Sequence, residues 1–136
     1  MATLLVLGGA SAANAAEITS PGDPHTVTSY TFTVSGTGTP GNYIALAQCN
    51  ADLGGLNGSD CNAASQVGGV LIDGSGNWSA SITVDDAFAN SSVSGVPTHG
   101  GTTDCFVDEC QVQSSEYTSW FPTAPPVDFG SLTLVF

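Results

Sequence analysis

Two stretches of the chain alternate strictly between apolar and polar side chains. From Thr28 to Ser35, Tyr30, Phe32 and Val34 fall on one side and Thr31 and Thr33 on the other. From Asn77 to Val84, Trp78, Ala80, Ile82 and Val84 alternate with Ser79, Ser81 and Thr83. A period of two matches the pleat of a β-strand and breaks the apolar stripe that a helix requires. Each stretch is a strand with one buried and one wet face. The remaining segments follow the same grammar. Tyr43 to Cys49 is apolar on both faces, which predicts a central strand. Gln66 to Ile72 and Asn77 to Val84 flank Asp73-Gly-Ser-Gly76, a hairpin signal. Asp104 to Gln113 reads as a strand interrupted by a cysteine loop, and Phe129 to Phe136 closes the chain with Leu132, Leu134 and Phe136 on one side. The 17 glycines and 7 prolines fall largely between these runs. Residues 17–26, 36–42, 50–60, 85–103 and 114–128 read as turns and loops. Short strands punctuated this often predict an all-β chain, a seven-stranded Greek-key sandwich.

Charge narrows the function. The sequence of 136 residues holds 12 Asp and Glu, two His and no Lys or Arg. Such a surface cannot neutralise phosphates, so nucleic-acid binding by the protein itself is excluded, as is attraction to anionic lipid. Lysine- or arginine-based anion sites are excluded with them. Hydrophobic residues at 41% argue against disorder.

Residues 1–16 read as a targeting leader. Leu4 to Leu7 is apolar, and Ala13-Asn14-Ala15 has the small-x-small pattern of a cleavage site after Ala15 or Ala16. The basic segment that opens a signal peptide is missing, so the leader reads as truncated, with the domain at 17–136. The apolar run is too short to span a membrane. Four cysteines fit an exported protein. They permit three connectivities; pairing of sequence neighbours, with each bridge closing a local loop, is the expectation. A zinc site would want closer cysteine spacing or nearby histidines, and His25 and His99 supply neither.

Catalytic motifs are missing: there is no Gly-x-Ser-x-Gly elbow and no His-Glu-x-x-His. His25 and His99 are lone loop histidines. Asp73 to Asn77 begins like a calcium loop, but Trp78 stands where that loop needs glycine and Val84 where it needs glutamate. A plain turn is the better reading. Asp85 and Asp86 read as a solvated strand end, and Asp104, Asp108 and Glu109 as solubilising charge. Asn57, Asn77 and Asn90 open glycosylation sequons. No enzyme, metal or tightly held cofactor is expected.

Several segments resemble the neocarzinostatin family of enediyne apoproteins. They are Tyr43-Ile-Ala-Leu-Ala-Gln-Cys49, Cys61-Asn-Ala-Ala64, Asp73 to Val84 followed by Ala87-Phe88, Gly101-Thr-Thr-Asp-Cys105, and Cys110-Gln-Val112. The resemblance implies an immunoglobulin-like sandwich, disulfides Cys49–Cys61 and Cys105–Cys110, and a cleft holding a non-covalent, apolar chromophore. Gln111 and Ser115 fall at family cleft positions and stay polar. Ala51, Gln66 and the Val93–Val96 connection stand where the family has aromatics, and Asp85-Asp86 where it has a basic pair. Leu56, Gln66, Val96, Gln111 and Ser115 are the candidate ligand contacts, with Trp120 and Phe121 as rim or lid. The expected function is that of a secreted monomeric carrier sequestering an apolar small molecule. The alternative is an extracellular adhesive module or fibre subunit, a homopolymer whose apolar N-terminal segment adds to a neighbour's sheet edge.

Overall fold

A computed structural model describes residues 17–53, 60–93, 97–120 and 125–136. The leader expected at residues 1–16 lies outside them. The strands are β1 (Ile18–Ser20), β2 (His25–Thr26), β3 (Thr31–Thr37), β4 (Tyr43–Asn50), β5 (Val67–Leu71), β6 (Asn77–Thr83), β7 (Ala87–Ala89), β8 (Thr102–Asp104), β9 (Cys110–Tyr117) and β10 (Asp128–Val135). One 3-10 turn, Ala63–Ser65, precedes β5. A five-stranded sheet runs β2-β10-β9-β4-β5, a three-stranded sheet runs β1-β3-β6, and β7 and β8 form a separate ribbon.

The two larger sheets stack with their apolar faces together. Val34 of β3 and Trp78 and Ile82 of β6 meet Ile44 and Leu46 of β4, Val112 of β9, and Leu132 and Leu134 of β10. The alternation that predicted β3 and β6 thus selects the core face. Trp78 sits on Gly36, where an added Cβ would lie 2.6 Å from the indole Cζ2. Its Nε1 donates to the Thr37 carbonyl at 3.0 Å. β4 is central as expected, paired with β9 on one side and β5 on the other. Both disulfides join sequence neighbours, Cys49–Cys61 and Cys105–Cys110.

Three local expectations need correction. Asp73 to Gly76 is a tight turn, with the Asp73 Oδ1 accepting from the Ser75 and Asn77 amides. It is no hairpin within one sheet, because β5 and β6 belong to different sheets and the turn carries the chain across. The segment Ser114 to Tyr117, read as the start of a loop, continues β9: it pairs residue by residue with β4 and β10, so backbone bonds on both sides outweigh its weak strand propensity. The connections at 17–26 and 85–103 also hold short strands, β1 and β2 in the first and β7 and β8 in the second.

Candidate functional site

Adjacent strand residues point to opposite faces, and in β4 and β9 this separates two surfaces. Ile44, Leu46 and Gln48, with Val112, Ser114 and Glu116, face between the sheets. Tyr43, Ala45, Ala47 and Cys49 turn outward, in register with Tyr117, Ser115, Gln113 and Gln111 respectively. On a sheet facing water these outward residues would be exposed. Instead Gln111 is 9% and Gln113 5% exposed, and Ala47 and Cys49 are buried. The outer face is therefore covered around Ala47, Cys49, Gln111 and Gln113, while Tyr43, Ala45, Ser115 and Tyr117 are half-buried. Its floor is small and polar, two alanines against two glutamines and a serine, with the Gln113 amide donating to Gln111 Oε1 at 3.3 Å.

One end of this face is closed by the Cys49–Cys61 disulfide, against which Val93 packs. Cys61 bridges both Cys49 and Ser91, so it carries the β7–β8 connection up to β4. Hydrogen bonds fix that wall. Asn50 Nδ2 donates to Thr103 Oγ1 at 2.9 Å, and Thr103 donates on to Asn90 Oδ1 at 2.6 Å. The buried Asp60 accepts from the Thr98 hydroxyl and the His99 amide, and its Oδ2 lies 2.7 Å from the His99 ring. His99 thus anchors a loop while its own side chain remains 60% exposed.

The other end is aromatic. Trp120 stands edge-on to Tyr117 with centroids 5.6 Å apart, and 6.4 Å from Tyr43. It packs on Gly68 and Gly69; a Cβ on Gly68 would lie 2.6 Å from the indole. Six strand steps run from Gln111 to Tyr117, so the outward strip is roughly 20 Å long.

Of the expected contacts, Gln111 and Ser115 share this face and Trp120 borders its far end. Gln66 is exposed one residue before Val67, the register partner of Leu46, which puts it beside Ala47 toward the β5 edge. Leu56, Val96 and Phe121 lie outside the described residues. Tyr43, Ala45, Ala47 and Gln113 also line the face and were not singled out from sequence. The signal was present: every second residue from Tyr43 to Cys49 and from Gln111 to Tyr117 shares a face once both runs are read as strands. Asp85 and Asp86 are half-buried and engaged, contrary to the expected solvated strand end. Asp85 accepts from Asn62 Nδ2 at 2.9 Å and Asp86 from the Tyr30 hydroxyl at 2.8 Å. That bond to Asp86 is the main cause that holds the Tyr30 phenol above its ordinary pKa.

The fold is that of an immunoglobulin-like sandwich whose five-stranded sheet is partly covered on its outer face. The family model for the neocarzinostatin family matches residues 23–124, and the chain belongs to that family. Among solved structures it is similar to macromomycin, with 26% identity, a TM-score of 0.55, and coverage of 88% of this chain and 97% of that one. It shares its fold with apokedarcidin at 22% identity and a TM-score of 0.52, covering 88% of this chain and 98% of that one. No curated protein matches the sequence. Among the described residues no helix is long and apolar enough to cross a membrane.

Proposed function

We propose that this protein is a secreted, non-enzymatic carrier that sequesters an apolar small molecule against the outer face of β4 and β9. The burial of Gln111 and Gln113 on the sheet face turned away from the core carries this reading. The alanines add little bulk, and the Gln111 and Gln113 amides with Ser115 are the few placed polar groups that a small-molecule site sets among apolar walls. Tyr43, Tyr117 and Trp120 are the aromatic wall that the positions of Ala51 and Gln66 lack. Sequestration needs no covalent step: excluding water and thiols protects a reactive guest. Membership of the neocarzinostatin family supports the carrier over the fibre subunit, and the two disulfides fit an oxidising, extracellular setting.

The test is titration of the disulfide-intact protein with a neutral naphthalene-type probe, followed by tryptophan emission. Trp120 emission should be quenched saturably while the buried Trp78 reports no change. Ala45→Phe, which fills the strip, should abolish the effect without unfolding the domain. Binding that survives Ala45→Phe, or emission that never changes, would overturn the assignment. Mass spectrometry of exported protein should show a mature terminus after Ala15 or Ala16.

A further inference from the structure

Of the strands that edge the two larger sheets, β1, β2 and β5 are protected and β6 is not. An open edge is a row of unpaired N–H and C=O groups ready to pair with another chain. Folded proteins blunt it with short strands, bulges, prolines, lysines or a covering group. β1 is 3 residues long and bulged against β3. β2 is 2 residues long and follows Pro24. β5 carries Gly68 and Gly69, shifts register against β4 and is packed by Trp120. β6 has none of these devices. It runs 7 residues from Asn77 to Thr83, pairs with β3 in unbroken register, and holds no proline and no charge. Lysine, a common edge guard, does not occur in the chain.

The free backbone groups of β6 form a short, bounded set. The Val84 amide donates to the Tyr30 carbonyl at 2.8 Å, which fixes the phase of the ladder. Trp78, Ala80 and Ile82 therefore bond to β3, and Ser79, Ser81 and Thr83 turn their backbone groups to the open side. Among the described residues no other backbone group meets those three. The residues that flank them are engaged: Asn77 is bonded in both directions to Asp73, and Asp85 in both directions to Gln48. One antiparallel self-pairing matches all three free residues, the one with Ser81 on a two-fold axis. Ser79 then faces the partner's Thr83, and Ser81 faces the partner's Ser81. This register sets Asp85 against the partner's Asn77, Asp86 against the partner's Gly76 and Asp73 against the partner's Ala89. No carboxylate opposes another, although each copy carries a net charge of −12. The outer side chains at the junction, Ser79, Ser81 and Thr83, are exposed hydroxyls. From this we infer that β6 is the contact of a symmetric dimer, in which two copies join their three-stranded sheets edge to edge.

So small a contact between two acidic copies gives a weak, salt-dependent dimer, with dissociation on the order of 0.1–1 mM. The monomer expected from sequence is then the dilute state. The test follows the whole disulfide-bonded chain by sedimentation and amide NMR, from about 10 μM to about 2 mM protein, at low salt and at roughly 0.5 M salt. The mass should rise toward that of two chains with concentration, and more readily at the higher salt. The Ser79, Ser81 and Thr83 amides should shift and gain exchange protection in step, while amides of the five-stranded sheet stay fixed. Ser81→Asp, which sets two carboxylates against each other on the axis, should weaken association at least about tenfold. Ser81→Pro, which removes an N–H that has no partner within one copy, should do the same. The amide signals are read in the unaltered protein, so the test does not depend on either variant folding. A chain that stays monomeric throughout, association that leaves the three amides unshifted, or association undiminished in folded Ser81→Asp would each overturn the dimer. So would protection of the three amides at every concentration, because another segment of the same chain would then occupy the edge. The covered strip lies on the other sheet and is probed in dilute protein, so none of these outcomes bears on the carrier reading.

Discussion

Carboxylates in this chain are held by neutral donors, because basic side chains do not exist to hold them. Asp73 caps a turn through backbone amides, Asp85 takes an amide hydrogen from Asn62, and Asp23 accepts from the Thr133 backbone at 3.0 Å. Among the described residues the one ion-pair geometry is His99 with Asp60. Tyr30 and Asp86 are the case with a measurable consequence. The hydrogen bond to Asp86 is the largest cause of the raised Tyr30 pKa, followed by burial and the charges of Asp86 and Asp85. A group whose folded pKa is raised contributes its stability fully below the unfolded value, about 10 for tyrosine, and loses it as pH climbs through the folded value. Stability should therefore fall in the alkaline range above that value, and Tyr30→Phe should remove this component of the fall. In a phenolate absorbance titration, the difference between wild type and Tyr30→Phe should show ionisation later than an ordinary tyrosine, and Asp86→Asn should bring it earlier. A Tyr30 step unmoved by Asp86→Asn would disprove the coupling.

At the level of the element, β3 and β6 were legible because half-buried strands write their burial as alternation. The second half of β9 was not. Ser114, Ser115 and Glu116 have turn-like composition, and their strand state comes from pairing on both sides by β4 and β10, which no local window contains. The same reason hid part of the site. Gln111 and Ser115 were expected together only through the family resemblance, whereas the seat of Trp120 depends on Gly68 and Gly69, some fifty residues earlier in the chain. Gln48 shows how elements without a continuous ladder are joined. Its amide donates to the Asp85 carbonyl at 2.6 Å and accepts from the Asp85 amide at 2.9 Å, imitating a strand pair across the gap between β4 and the end of β6. Asn62 adds a third bond at 3.0 Å. Gln48→Leu leaves these buried groups without their partner and should cost at least about 2 kcal/mol. Hydrogen exchange should locate the damage: the Asp85 amide should lose protection while β3 and β6 amides keep theirs. Uniform loss across all strands would instead mean that Gln48 supports the core as a whole.

For the whole molecule, the two bridges act at different places. Cys49–Cys61 closes the longer segment, with a separation of 12 residues, and lies on the covered face with Ala47 and Val93. Cys105–Cys110 spans only 5 and packs with Phe88 beneath Phe136. Chain entropy assigns about 3 kcal/mol to the first loop and about 2 kcal/mol to the second. The first also ties β4 to the connection through Ser91, so its removal frees the wall of the strip as well as the unfolded chain. Against a total stability of about 5–15 kcal/mol for a domain of this size, either loss is large. The Cys49→Ser/Cys61→Ser variant should therefore have the lower denaturation midpoint in urea and bind the naphthalene-type probe more weakly. The Cys105→Ser/Cys110→Ser variant should lose less stability and keep more of its binding, because the tight loop touches the strip only through the strand that begins at Cys110. Midpoints in the reverse order would show that the packing of Cys105 and Cys110 under Phe88 outweighs loop entropy. Probe binding untouched by loss of Cys49–Cys61 would show that the β7–β8 wall is held by the Asn50–Thr103–Asn90 and Asp60–His99 hydrogen bonds alone.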